Sequence, residues 1–141
     1  MDRVFLDANV LFSAAYAPAN SFLDLWKRKG IRLLTSDYAV EEARRNLREH
    51  EHLERLRRLT GAMEIVSSRP EHFASPGRPS EVSLPEKDQP ILVAAVAARA
   101  THLLTGDKRH FGPWIGKRIR GVLIQSPAQY LERRSKPPKG V

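Results

Sequence analysis

The chain has 141 residues, of which 41% are hydrophobic and 28% charged, so it has the size and composition of one folded domain rather than a disordered chain. It has no cysteine, which excludes disulfides and thiolate metal sites. No apolar run approaches the roughly 20 residues of a spanning helix, and the first residues lack the pattern of a secretory signal, so no membrane association and a cytoplasmic location are expected.

The formal net charge of +8 is unevenly distributed. Basic and acidic residues balance up to Asp107, and the whole excess follows it, where Glu132 is the one acid. A one-sided basic excess favours a polyanionic partner, because each neutralised phosphate releases a condensed counterion. A solvated basic surface is the alternative.

Short apolar runs alternate with helical patterns along the chain. Strands are predicted at residues 4–6, 31–35, 63–66, 102–105 and 121–124. Helices are predicted after Asn9, from Ser21 to Gly30, from Ser36 or Asp37 to about Leu59 with an interruption near His50–His52, from Asp88, and from Pro127 to Leu131. Four prolines predict a surface loop over residues 67–87. The alternation predicts one α/β domain over residues 1–134, with a mainly parallel five-stranded sheet between two helical layers, and a flexible basic tail over residues 135–141.

Four acids fall where this fold exposes one edge of its sheet. Asp7 ends the first strand, Asp107 follows the fourth, Asp88 opens the helix before the fourth, and Glu42 lies early in the long helix after the second. Ligands in such sheets bind beyond the carboxyl ends of the strands. Converging carboxylates repel one another unless a cation neutralises them, and Mg²⁺ or Mn²⁺ prefers oxygen ligands.

Each acid also has a purely structural interpretation. Asp7 and Asp88 are suited to capping the helices that follow them, and Asp107 is suited to a turn. Glu42 could be an exposed helical acid paired with an arginine. His50 and His52, two residues apart on a helix, are predicted to be solvated.

The combined pattern resembles the PIN-domain ribonuclease family, in particular the bacterial and archaeal toxins of type II toxin–antitoxin pairs. The matching segments are Val4–Leu11, Ser36–Leu47, the helix from Asp88 to Ala95, and Leu103–Phe111. The resemblance extends from residue 4 to about residue 131 and implies a PIN-like three-layer α/β/α fold.

The resemblance assigns roles to matching positions. It implies that Asp7, Glu42, Asp88 and Asp107 bind Mg²⁺ or Mn²⁺ and act in catalysis, and that Asn9 and Thr105 support them. The adjacent Glu41 leaves an ambiguity of one residue, which the spacing to Leu47 resolves in favour of Glu42. Many relatives carry a further acid where this chain has His110.

The sequence therefore predicts a metal-dependent endoribonuclease, with RNA as substrate, a homodimer as the assembly and an antitoxin as a partner. The residues expected to contact the RNA backbone share a positive charge and follow Asp107: Lys108, Arg109, Lys117, Arg118 and Arg120. Two alternatives stay open. One is a PIN-fold nucleic-acid-binding or scaffold protein with weak or no catalysis, and the other is a nuclease that cleaves DNA.

Overall fold

Six strands form the sheet in the computed structural model, which describes residues 1–17, 21–67 and 89–135. The strands are β1 (Asp2–Leu6), β2 (Ile31–Ser36), β3 (Glu64–Val66), β4 (His102–Leu104), β5 (Arg118–Ile119) and β6 (Val122–Gln125). The helices of this part of the chain are α1 (Ala8–Tyr16), α2 (Asp24–Lys27), α3 (Asp37–Asn46), α4 (His50–Gly61), α5 (Gln89–Ala97) and α6 (Pro127–Ser135). Short 3-10 turns span Ser21–Leu23 and Gly112–Trp114.

The strands lie in the order β3-β2-β1-β4-β6-β5, and all neighbours are parallel except β5 and β6. The chain steps from β1 outward to β3 and then returns to β4 on the other side of β1. The strand order therefore reverses between β1 and β4, which is where ligands bind in open α/β sheets. The predicted α/β fold with a mainly parallel sheet is confirmed, with six strands instead of five.

The core explains why the central strands are continuous apolar runs. Val4, Phe5 and Leu6 of β1 are fully buried, as are Leu103 and Leu104 of β4, because helices cover both faces of a parallel sheet. Helices α1, α3 and α4 contact one another, and α5 contacts β2 and β4. The apolar α5 is buried from Ile91 through Ala95, as its composition predicts.

Several predicted boundaries shift. The predicted interruption of the long helix is present, but it lies at residues 47–49, just before His50, and contains the buried Leu47. The segment after Ser21 forms a 3-10 turn and a four-residue helix that ends at Lys27. Helix α6 continues beyond Leu131 to Ser135.

Some predictions fall outside the described residues. These are the position of Asp88, the loop at 67–87 apart from the exposed Ser67, and the tail beyond Ser135. Within the described ranges, no helix is long and apolar enough to cross a membrane.

Candidate active site

Asp7 lies where the central strand β1 ends and α1 begins. It is 4% exposed, and its backbone N–H donates to the carbonyl of Leu104, which joins it to β4 (3.0 Å). Its Oδ1 accepts from the backbone N–H of Ala8 (2.6 Å) and caps α1. Helix α1 therefore begins at Ala8, two residues before the predicted start after Asn9, and Asp7 is its cap.

The second carboxylate oxygen of Asp7 is held by the two residues expected to support it. Thr105 Oγ1 donates to Asp7 Oδ2 at 2.8 Å, and Asn9 Nδ2 donates to the same oxygen at 3.3 Å. Asn9 Oδ1 accepts from the backbone N–H of Gly106 (2.9 Å), and Thr105 Oγ1 accepts from that of Asp107 (3.0 Å). The ends of β1 and β4 thus form one hydrogen-bonded unit.

Asp107 is held in the turn after β4. Its Oδ1 accepts from the backbone N–H groups of Arg109 (3.1 Å) and His110 (3.0 Å). Its Oδ2 lies 2.9 Å from Nδ1 of His110. Asp107 therefore has the predicted turn role, and its carboxylate also contacts the imidazole of His110.

Glu42 reaches the same edge of the sheet from α3. Thr35 Oγ1 donates to the carbonyl of Leu6 (2.8 Å) and fixes the end of β2 beside Asp7, and Ser36 then caps α3 by accepting from the backbone N–H of Ala39 (3.1 Å). Glu42 therefore lies in the second turn of a helix whose start is fixed to the end of β2.

The adjacent acids Glu41 and Glu42 have different surroundings. Glu41 makes exposed ion pairs with Arg44 (2.5 Å) and Arg45 (3.5 Å), and the hydrogen bond from Arg44 lowers the pKa of Glu41. Glu42 instead lines a cleft of about 400 Å³.

That cleft brings together three of the four predicted acids. Its lining residues share a position at the carboxyl edge of the sheet and comprise Asp7, Ala8, Asn9, Phe12, Glu42, Ala43, Asn46 and Asp107. The sequence-based prediction missed Asn46, although its place one helical turn after Glu42 puts it on the same face of α3. Its Nδ2 donates to the carbonyl of Glu42 (2.9 Å).

The donors of the cleft are carboxylate and amide oxygens, which Mg²⁺ and Mn²⁺ prefer. Among the residues that the structure describes, no three acidic or histidine side chains come close enough to hold one ion. The donor chemistry therefore fits a hard divalent cation, while the described side chains alone do not complete a coordination shell.

The basic residues after Asp107 divide into two groups. Lys108 and Arg109 are exposed and directly follow Asp107 at the cleft. Lys117 and Arg118 lie at the edge strand, where Lys117 Nζ is 5.6 Å from the Trp114 ring centroid.

The strand register shows how far the second group lies from the cleft. Arg118 pairs with Leu123, Leu123 with His102, and His102 with Val4, three residues before Asp7. Arg120 follows β5 toward the amino edge of the sheet. Lys108 and Arg109 therefore adjoin a residue that lines the cleft, Asp107, whereas Arg118 and Arg120 lie toward the opposite edge of the sheet.

One histidine differs from expectation. The His52 side chain is 14% exposed and its ring centroid lies 4.8 Å from that of Tyr16, so the prediction of a solvated His52 is wrong. His50 is exposed, as predicted.

An acid-lined cleft at the switch point of a mainly parallel sheet places the chain among α/β proteins that bind ligands at the ends of their strands. The sequence matches the PIN domain over residues 3–109, and the chain belongs to the PIN-domain family. No curated protein sequence matches it.

Solved structures with the same fold include toxin–antitoxin proteins. VapBC2 from Rickettsia felis, bound to a DNA fragment from its promoter, is similar with a TM-score of 0.67 and 15% identity over 88% of this chain and 98% of that chain. DNA-bound VapBC from Salmonella typhimurium is similar with a TM-score of 0.60 and 15% identity, over 90% of this chain and 99% of that chain. Mycobacterium tuberculosis VapC20 is a toxin that cleaves the Sarcin-Ricin loop. It is similar with a TM-score of 0.52 and 13% identity, over 74% of this chain and 91% of that chain. At sequence identities this low, the structural similarity shows a common fold and no more.

Proposed function

We propose that this chain is a metal-dependent endoribonuclease and the toxin of a toxin–antitoxin pair. The observation that carries the proposal is the cleft at the switch point of the sheet, which is lined by Asp7, Glu42 and Asp107 from three different elements. The family membership and the RNA-cleaving toxin among the proteins of similar fold support it. Asp88, next to the first residue of α5, is proposed as the fourth acid.

A bound Mg²⁺ or Mn²⁺ would lower the pKa of water and stabilise negative charge on the phosphate oxygens. The chain's own residues would prepare the cleft for this chemistry. Asp7 is held by hydrogen bonds from Ala8, Asn9 and Thr105, so its oxygens need little reorganisation. Lys108 and Arg109 would contact the RNA backbone beside the acids, and such contacts position a substrate without reading its sequence.

The proposal extends to two protein contacts. We propose that the chain forms a homodimer, and that an antitoxin occupies the cleft. A guanidinium can replace a cation there because it bridges carboxylates through parallel hydrogen bonds. VapBC2 and VapBC, which share the fold, were each solved bound to DNA.

A second candidate is a PIN-fold nucleic-acid-binding protein with weak catalysis. The observation that favours it is the His110 ring, 2.9 Å from an oxygen of Asp107, where it competes with any cation for that oxygen.

The test is cleavage of matched single-stranded RNA and DNA by the purified chain, with Mn²⁺, with Mg²⁺ and with EDTA. The proposal predicts cleavage of RNA with either ion, none with EDTA, and intact DNA. RNA binding without cleavage at any metal concentration would support the second candidate, and cleavage of DNA alone would contradict the proposed substrate.

The two protein contacts are tested separately. Light scattering of the purified chain should give the mass of a dimer, and a strict monomer would refute that assembly. Co-expression with an antitoxin-like reading frame beside this gene should yield a complex. A failure to co-purify would favour a free-standing ribonuclease.

A further inference from the structure

Three aromatic side chains connect the cleft to the protein surface. The Phe12 and Tyr16 rings of α1 stack with their centroids 5.5 Å apart and their planes at 24°. On α4, the His52 ring lies 4.8 Å from Tyr16. We call Phe12, Tyr16 and His52 the aromatic strip.

The strip begins inside the candidate active site. Phe12 lines the same cleft as Asp7, Glu42 and Asp107. Tyr16 follows one helical turn later and is 55% exposed, one of three large hydrophobic side chains exposed among the described residues. A chain that leaves the three acids along α1 therefore meets the strip next.

The strip is fixed by its two helices. Asp7 caps α1 at the end that leads into the cleft, and α1 packs against α3 and α4. Beyond the strip, the Arg55 side chain of α4 donates to the carbonyl of Ala15 and joins the two helices beside Tyr16. A rigid aromatic surface loses little conformational entropy when it binds a ligand.

The electrostatics of the cleft favour a ligand that binds through its bases. Three carboxylates repel phosphates until a cation neutralises them, so the residues that line the cleft do not attract RNA by their charge. Stacking on an aromatic ring depends on the π-face that every base has, and it therefore tolerates any sequence.

We propose that the aromatic strip is a stacking subsite for the nucleobases of single-stranded RNA next to the scissile phosphate. The inference rests on the proposed ribonuclease function and adds to it the form of the substrate. Unpaired bases are required, because bases in a duplex already stack on one another and present no free face.

The test measures binding of a short fluorescein-labelled single-stranded RNA by fluorescence anisotropy. A Glu42→Gln background slows cleavage of the RNA at least roughly tenfold while Mg²⁺ is present, and gel electrophoresis after each titration checks that the RNA is intact. A second RNA of the same length carries abasic residues, which keep the phosphates and lack the bases. The subsite predicts roughly tenfold tighter binding of the RNA with bases.

Tyr16→Ala should remove most of this preference and leave the salt dependence of binding unchanged, because it deletes a ring and no charge. Phe12→Leu keeps a large apolar side chain at a partly buried position and should weaken the preference without unfolding the protein. Ile65→Ala is the matched control, since Ile65 is also an exposed hydrophobic residue but lies on β3, away from the cleft. It should keep the full preference.

Two results would overturn the inference. One is an unchanged preference for bases in both Tyr16→Ala and Phe12→Leu. The other is an unchanged RNA affinity in Tyr16→Ala together with a lower mass by light scattering, which would make the strip a protein interface. Cleavage by the wild-type chain is measured in parallel. Absence of both RNA cleavage and RNA binding there would refute the proposed function itself, and this result is distinct from a loss of base preference.

Discussion

The two edges of the sheet use acidic residues in opposite ways. At the amino edge, Glu64 lies between Arg3 and Arg32, each at 3.3 Å. At the carboxyl edge, Asp7, Glu42 and Asp107 surround a cleft, and Asp7 and Asp107 accept hydrogen bonds from hydroxyl, amide and backbone groups. The two edges do not differ by the presence of a large cavity, because a groove of about 590 Å³ lies beside Glu64. They differ because the direction of the strands determines at which edge the acids converge.

The largest effect is expected for Asp7→Asn at the carboxyl edge. The change keeps a good helix cap and the shape of the side chain, but removes the negative charge. We expect RNA cleavage with Mn²⁺ to fall by roughly 100-fold or more. The Tm in the absence of metal should fall only modestly, because the Asn amide keeps the cap to Ala8 but cannot accept the hydrogen bonds that Thr105 and Asn9 donate to Oδ2. Kinetic assays and calorimetry measure the two quantities.

Glu64→Gln is the matched control at the amino edge. It weakens two partly exposed ion pairs and should cost about 0–1 kcal/mol of stability without changing the rate of cleavage. Full RNA cleavage by Asp7→Asn, or a large loss of RNA cleavage in Glu64→Gln, would contradict the proposed functional difference between the two edges.

The adjacent acids of α3 repeat this contrast within one helical turn. Glu42→Gln removes a charge from the cleft and should lower cleavage by at least roughly tenfold. Glu41→Gln loses exposed pairs with Arg44 and Arg45 and should leave cleavage unchanged. Equal losses in both variants would show that the cleft does not distinguish the two side chains.

His110 gives a prediction in the opposite direction. His110→Asp replaces a ring that contacts Asp107 Oδ2 with a further oxygen donor, so we expect Mn²⁺ to bind roughly tenfold more tightly. Isothermal titration calorimetry measures this affinity directly. Weaker binding would mean that the imidazole helps the site instead of competing with a cation.

The smallest expected effect concerns the basic residues. If Lys108 and Arg109 both contact single-stranded RNA, their replacement by Ser should reduce the slope of log affinity against log salt by about 1.4. Replacement of Lys117, Arg118 and Arg120 by Ser should reduce this slope by up to about 2 if all three contact the RNA. The reduction should be smaller if Arg118 and Arg120, toward the amino edge, make no contact. Equal slopes in all variants would indicate a solvated basic surface.

The sequence allows prediction of those site features that depend on local position. Asp7, Thr105 and Asp107 follow buried apolar strands, and Glu42 lies less than two turns after a capping serine, so their common edge follows from the rules of parallel sheets. The helix caps are less certain from sequence, because Asp7 and Asn9 are both good capping residues and only the backbone geometry selects between them.

Other features depend on contacts between distant segments. Strand β5 has two residues, too few for an alternating pattern, and forms because β6 folds back beside it. The contact between Tyr16 and His52 depends on how α1 packs against α4, which neither helix encodes alone. The hydrogen bond between His110 and Asp107 requires the shape of their turn.

The central place of β1 in the sheet also has a consequence for synthesis on the ribosome. β1 is made first, yet its neighbour β4 begins at His102, nearly one hundred residues later. A nascent chain that ends before β4 contains Asp7 and Glu42 but lacks Thr105 and Asp107, and one side of β1 has no strand to pair with. The cleft therefore assembles late in translation, and truncated products cannot carry a complete site, so a nuclease built on this topology stays inactive until most of its chain has been made.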